Sequence, residues 1–120
     1  MKGSILYDYG DAVRSMILCC DEDEEDLNKV SIDIKKFEYF TKGFLESQND
    51  SLTNTEKELL VDSIIIITLE CGMRFLTDFL NGNKYFKVTD DFHNLRRARV
   101  ALKEVKLLEK YKEEMKKIIK

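Results

Sequence analysis

Apolar residues recur at helical spacing through most of the chain, and four stretches carry the pattern far enough to predict helices. Tyr9, Ala12, Val13, Met16, Ile17 and Cys20 place the first over about residues 8–20. Ile34, Phe37, Phe40, Thr41, Phe44 and Leu45 share one face of a second, over 33–47, and that aromatic stripe reads as core. The third opens at Thr53, which with Glu56 forms a capping box, and stops at Asn81-Gly82. Its Ile64-Ile65-Ile66-Ile67 run is β-branched and in isolation favours a strand, but helical start and stop signals flank it and no turn residue interrupts it. Being apolar on most sides, this helix is expected at the buried centre. The fourth runs over 94–118 from a cap at Asn94, with Leu95, Ala98, Leu102, Val105, Leu108, Met115 and Ile118 on its buried stripe. Residues 83–88, between the last two helices, are expected to be extended. The pattern predicts an all-α fold of about four helices in a single domain over 1–120.

Composition supports that reading. The 120 residues include no proline, where an ordinary chain of this length has roughly six. The net charge is −3 with 36% charged residues, a near balance that argues against a basic nucleic-acid-binding module and against a disordered acidic tail. The charge is unevenly spread. Residues 90–120 hold ten Lys or Arg against six Asp or Glu, a surplus of four that leaves −7 on the remaining 89. The basic last helix is thereby offered an acidic body to dock on, though a screened surface stripe is the plainer reading. The six consecutive acids Asp21 to Asp26 repel one another and are expected in a solvated loop, since they lack the glycine turn of a calcium loop. Three cysteines, Cys19, Cys20 and Cys71, make no disulfide framework and suit reduced thiols in the cytoplasm. No stretch reads as a signal peptide, and the strongest apolar run, Leu59 to Leu69, carries Asp62 and is too short to span a bilayer.

Self-contained catalytic equipment is nearly missing. The single histidine, His93, precedes a helix and reads as a cap or surface residue. The glycines are scattered singly, so no phosphate-binding loop is present, and no Cys or His pair has metal-ligand spacing. Two segments resist the purely structural reading. In Leu6-Tyr7-Asp8-Tyr9-Gly10-Asp11-Ala12-Val13-Arg14, Asp8 and Asp11 fall near the expected helix start, and Asp11 and Arg14 stand one turn apart. In Glu70-Cys71-Gly72-Met73-Arg74-Phe75-Leu76-Thr77-Asp78, the charges Glu70, Arg74 and Asp78 stand four apart on a helix expected to be buried. Arg74 there needs either a structural carboxylate partner or a polar ligand.

These two segments, with Tyr85-Phe86-Lys87 and His93-Asn94-Leu95-Arg96-Arg97-Ala98-Arg99, resemble in order and spacing the C-terminal part of the aminoglycoside and choline kinase-like phosphotransferases, in the branch of the N-acetylhexosamine kinases. The resemblance covers nearly the whole chain. It implies the helical part of a C-terminal lobe, roughly the last third of a longer chain, with Met1 corresponding to a position inside the family's activation segment. The family's catalytic loop (H-x-D-x-x-x-x-N) and magnesium-binding Asp motif do not occur in these 120 residues.

By that resemblance Arg74 and the Tyr85 phenol correspond to acceptor-sugar contacts, and Asp8 to a helix-start aspartate that braces the catalytic loop. Asp11 and Arg14 carry over less specifically, and a local ion pair is the preferred account of them. ATP and magnesium are implied for the full-length family, with neither bound by this chain alone, no catalytic residue and no metal ligand within it. The expected function is that of an acceptor-binding helical fragment, inactive by itself because general-base and magnesium chemistry have no residues here. Its expected partners are a hexosamine-type sugar and either a second copy or a complementary N-terminal lobe, with neither nucleic acid nor membrane. The alternative is a free-standing helical association module that oligomerises through surfaces left exposed by the missing lobe.

Overall fold

Four helices account for almost all of the regular structure. In a computed structural model of the chain, which describes residues 2–48 and 52–119, they are α1 Lys2–Ile17, α2 Ile34–Gln48, α3 Asn54–Leu80 and α4 His93–Ile119, with a 3₁₀ turn at Leu27–Lys29. Met1 lies outside the described residues. Among those residues no strand forms and no helix is long and apolar enough to cross a membrane.

Burial explains the helix choices. α3 keeps the four isoleucines helical because Ile64 and Ile67 fall on a stripe with Leu60, Val61 and Phe75 that packs against α4 and α1. Its capping box forms as the sequence indicates, Glu56 donating its amide to the Thr53 hydroxyl while the Thr53 amide donates to the Glu56 carboxylate. At the other end the chain turns through Gly82 and Asn83, both in the left-handed region at φ +89° and +60°. The core gathers Tyr9, Val13 and Ile17 from α1, Phe37 from α2, and Leu108 and Met115 from α4 around that stripe. Gly10 lets α1 and α3 approach, since a Cβ there would lie 2.8 Å from the Ser63 carbonyl oxygen.

Three boundaries and two faces depart from the sequence reading. α1 begins at Lys2, because Leu6 continues the Tyr9, Val13, Ile17 stripe into the core. Asp8 and Asp11 therefore lie inside the helix and not at its start. α1 also ends earlier, at Ile17: the Cys19 amide donates to Ser31 O and the Asp33 amide to Ile17 O, drawing Leu18 and Ile32 into an isolated antiparallel bridge. Cys19 and Cys20 thus follow the helix. Asn94 is the second residue of α4 and fully buried, not its cap. On α4 the buried stripe runs through Ala98, Ala101, Glu104, Leu108 and Met115, which leaves Leu102 at the surface. Most consequentially, α3 is not buried all round. Ile66, Met73 and Leu80 are 62%, 58% and 72% exposed and, with Leu59, stand at successive seven-residue intervals. The molecule is a thin slab, 46 × 31 × 18 Å, with one face of its central helix uncovered.

The acidic run sits in a loop as expected, and it does more than meet solvent. His93 Nε2 lies 3.0 Å from Asp23, and Asp62 of α3 pairs with Lys112 and Lys116 at 3.1 and 3.5 Å. The basic helix therefore docks on acids of both the loop and the body.

Candidate functional site

On its uncovered face, α3 lays Ile66, Leu69 and Met73 along the floor of an open cleft of about 700 Å³, which Tyr85 and Phe86 close on one side. Arg74 and Tyr85, eleven residues apart in sequence, line this one cleft together. The setting of Arg74 differs from the expectation. Its side chain is exposed because its face of α3 is open, and its guanidinium pairs with Glu70 one turn earlier on the same helix. The need for a partner that a buried charge imposes is thus met at the surface. An exposed pair of this kind contributes little to stability, which leaves the guanidinium available to a ligand.

Tyr85 is held in place from below. Asp78, on the buried side of α3, accepts hydrogen bonds from the Tyr85 amide at 2.7 Å, the Phe86 amide at 3.0 Å and Asn94 Nδ2 at 2.7 Å. Desolvation acts to raise its carboxyl, but the Phe86 and Tyr85 amides and Asn94 outweigh it and hold Asp78 below the usual carboxylate range. Asn94 also donates to Asn83 and accepts from Arg97 Nη1, so its amide links α3, the loop and α4. This is why Asn94 is buried where a cap was expected. Asp90 adds a second anchor: Arg96 meets it at 2.6 Å, and the hydrogen bonds from Arg96 and the Phe92 amide hold its carboxyl down at about 2. The 81–92 segment is therefore irregular yet pinned at several points, and the pinned backbone presents the Tyr85 ring 83% exposed, edge-on to Phe86. An aromatic ring standing in solvent on a fixed backbone is a stacking platform.

Asp8 is exposed on α1 and lines none of the clefts described. Arg14 pairs with Asp11, its Nε and Nη2 each 3.0 Å from Asp11 Oδ1, as the local-pair reading expects. Both also line a second cleft of about 480 Å³, which reaches Arg74 and Phe86 from the other side and adds Lys87 and Arg97. The loop and α1 thus bring the two chemically suggestive segments of the sequence against each other.

His93 is committed to structure, its Nδ1 accepting from the Thr89 amide while Nε2 faces Asp23. Cys20 and Cys71 are not activated nucleophiles, since burial pushes their thiols up. Burial likewise pushes the Glu104 carboxyl up to about 8, with only an opposing pull from Arg14, and its Oε2 has no hydrogen-bond partner among the described residues. Among those residues no three His, Cys, Asp or Glu side chains are grouped to hold a metal ion.

Asp78, Asn94 and Arg97 are the residues that sequence reasoning underrated. A signal for Asp78 was present: it falls three residues after Phe75, on the same buried stripe, so its carboxylate had to meet donors. No family model matches the chain.

Proposed function

We propose that the chain is the acceptor-binding helical part of a sugar phosphotransferase of the aminoglycoside and choline kinase-like type, close to the N-acetylhexosamine kinases, and that its α3 cleft binds a hexosamine-type sugar. The observation that carries this reading is the shared cleft of Arg74 and Tyr85: a cation with spare donors, an exposed aromatic platform and an apolar floor suit a pyranose, which offers hydroxyls at its rim and C–H groups on its face. ATP and magnesium belong to the whole enzyme of that type. The 120 residues supply neither the aspartate that deprotonates the acceptor hydroxyl nor the magnesium ligands, so the isolated chain does not transfer phosphate. Two measurements test this. The purified chain with ATP, magnesium and N-acetylglucosamine or N-acetylgalactosamine shows no turnover, and the sugar alone raises its thermal midpoint, a rise lost in Arg74→Ala. Turnover, or an unchanged midpoint, overturns the reading.

A second reading draws on the seven-residue spacing of Leu59, Ile66, Met73 and Leu80, which is that of a helix seam. In it the chain associates with a second copy through the open face of α3. Light scattering at high concentration then shows a dimer that Ile66→Lys dissociates; a monomer at all concentrations contradicts it. Ile66 and Met73 belong to both the seam and the cleft floor, so dimer formation and sugar binding compete for one surface.

A further inference from the structure

The second cleft, between α1, α3 and the start of α4, carries chemistry that sugar binding does not use. Arg14, Arg74, Lys87 and Arg97 line it against two carboxylates, Asp11 and Glu22. A chain of net charge −3 thus gathers four cations around one cavity. Cys71 lines the same cleft, within electrostatic reach of both Arg14 and Arg74.

Arg97 is the telling residue. Its side chain is only 16% exposed, its guanidinium lies over the Phe75 ring at 5.5 Å, and its Nη1 donates to Lys87 O and Asn94 Oδ1. Those acceptors fix its orientation without neutralising it. Its Nε is buried and makes no hydrogen bond among the described residues; Glu22 Oε2, 3.9 Å away, forms a loose ion pair with it but stands too far for a hydrogen bond. A desolvated, oriented guanidinium with an unmet donor is costly unless an anion completes it. Arg14 directs Nε and Nη2 at a single oxygen of Asp11, and burial, which raises the Glu104 carboxyl to about 8, weakens Glu104 as a second counter-charge.

We propose that this cleft is an oxyanion site that takes a phosphate group, with Arg97 and Arg14 as its principal donors and Lys87 and Arg74 supplying further positive charge. Planar guanidinium forks match the oxygens of a phosphate, and a half-enclosed cleft weakens screening of the charges. Glu22, an exposed side chain of the acidic loop, is the built-in competitor for Arg97. The assignment does not depend on the sugar reading. Free phosphate and a phosphorylated sugar present the same group, and Arg74, which lines both clefts, is where a sugar phosphate would cross from one to the other.

The test is calorimetric titration of the full chain with inorganic phosphate, at ionic strength matched with chloride so that general screening is held constant. Saturable millimolar binding is expected, weakened about tenfold or more in Arg97→Gln and in Arg14→Gln and strengthened several-fold in Glu22→Gln, while Lys42→Gln on α2 changes nothing. Circular dichroism melts establish that each variant is folded, and Glu22→Gln, an exposed loop change, keeps the test decisive if Arg97→Gln unfolds. No binding to the parent chain, or affinity that is the same in the Arg14 and Glu22 variants, overturns the proposal. A parallel titration with N-acetylglucosamine 1-phosphate separates the sources: tighter binding than inorganic phosphate identifies a sugar-borne group, equal binding the free ion. Response to phosphate with none to unphosphorylated N-acetylglucosamine supports this site and counts against the sugar cleft alone.

Discussion

On one side of α3, Leu60, Val61, Ile64 and Ile67 are closed off within the helix packing, and the carboxylate on that side, Asp78, meets three donors. On the other, Ile66, Met73 and Leu80 face solvent, and Arg74 pairs with Glu70 of its own helix. Both faces carry large apolar side chains, so an apolar count alone does not separate them; what differs is which neighbours cover each. The covered face sets stability. The open face has surplus apolar surface and a solvent-exposed ion pair, which are the properties of a site.

Alanine substitutions at adjacent isoleucines probe that contrast most strongly. Ile64→Ala, fully buried, is expected to cost about 3 kcal/mol in urea unfolding, whereas Ile66→Ala two residues on stays within about 0.5 kcal/mol. Equal losses would show that the open face is covered in solution. Glu104 sharpens the covered side. Its carboxyl is raised from 4.5 to about 8 in the folded chain, so the folded state holds the proton more tightly than the unfolded state does. Stability is then fully present below about pH 4.5 and is lost as the pH rises towards 8. Glu104→Gln removes that loss and is expected to stabilise by on the order of 2–3 kcal/mol at pH 8, with little effect at pH 4.5; chemical denaturation at the two pH values reads it. Asp78→Ala links the faces, because it releases the Tyr85 and Phe86 amides. It is expected to lower the thermal midpoint by about 5 °C and to abolish any sugar response, since the buried Asp78 carboxylate borders the cleft and holds its Tyr85 wall. The smallest stability effect belongs to Arg74→Ala, whose surface pair contributes little: a midpoint within about 1 °C of the parent and no sugar-induced shift.

The all-helical class, the capping box, the stop at Gly82 and the exposed acid loop were legible because each rests on local signals. The isoleucine run was correctly read as helix for the same reason. What escaped was orientation. Periodicity shows that α3 has apolar residues on most sides but carries no information about which sides are covered, so Arg74 was assigned to a buried helix. Likewise Glu104 interrupts an apolar repeat in sequence yet completes the buried stripe of α4, and Asn94 looks like a cap until Asp78 and Asn83 are brought to it by the 81–92 turn. Arg74 and Tyr85 were singled out by resemblance, and the fold sets them in one cleft.

The most direct measurement is a titration of the ¹⁵N-labelled chain with N-acetylglucosamine, followed amide by amide. The proposed function requires saturable shifts at Ile66, at residues 69–77 and at Tyr85 and Phe86, with the covered residues Leu60, Val61 and Ile64 undisturbed and the whole response lost in Tyr85→Ala. An unchanged spectrum at tens of millimolar sugar, or shifts centred away from the α3 cleft, would contradict it.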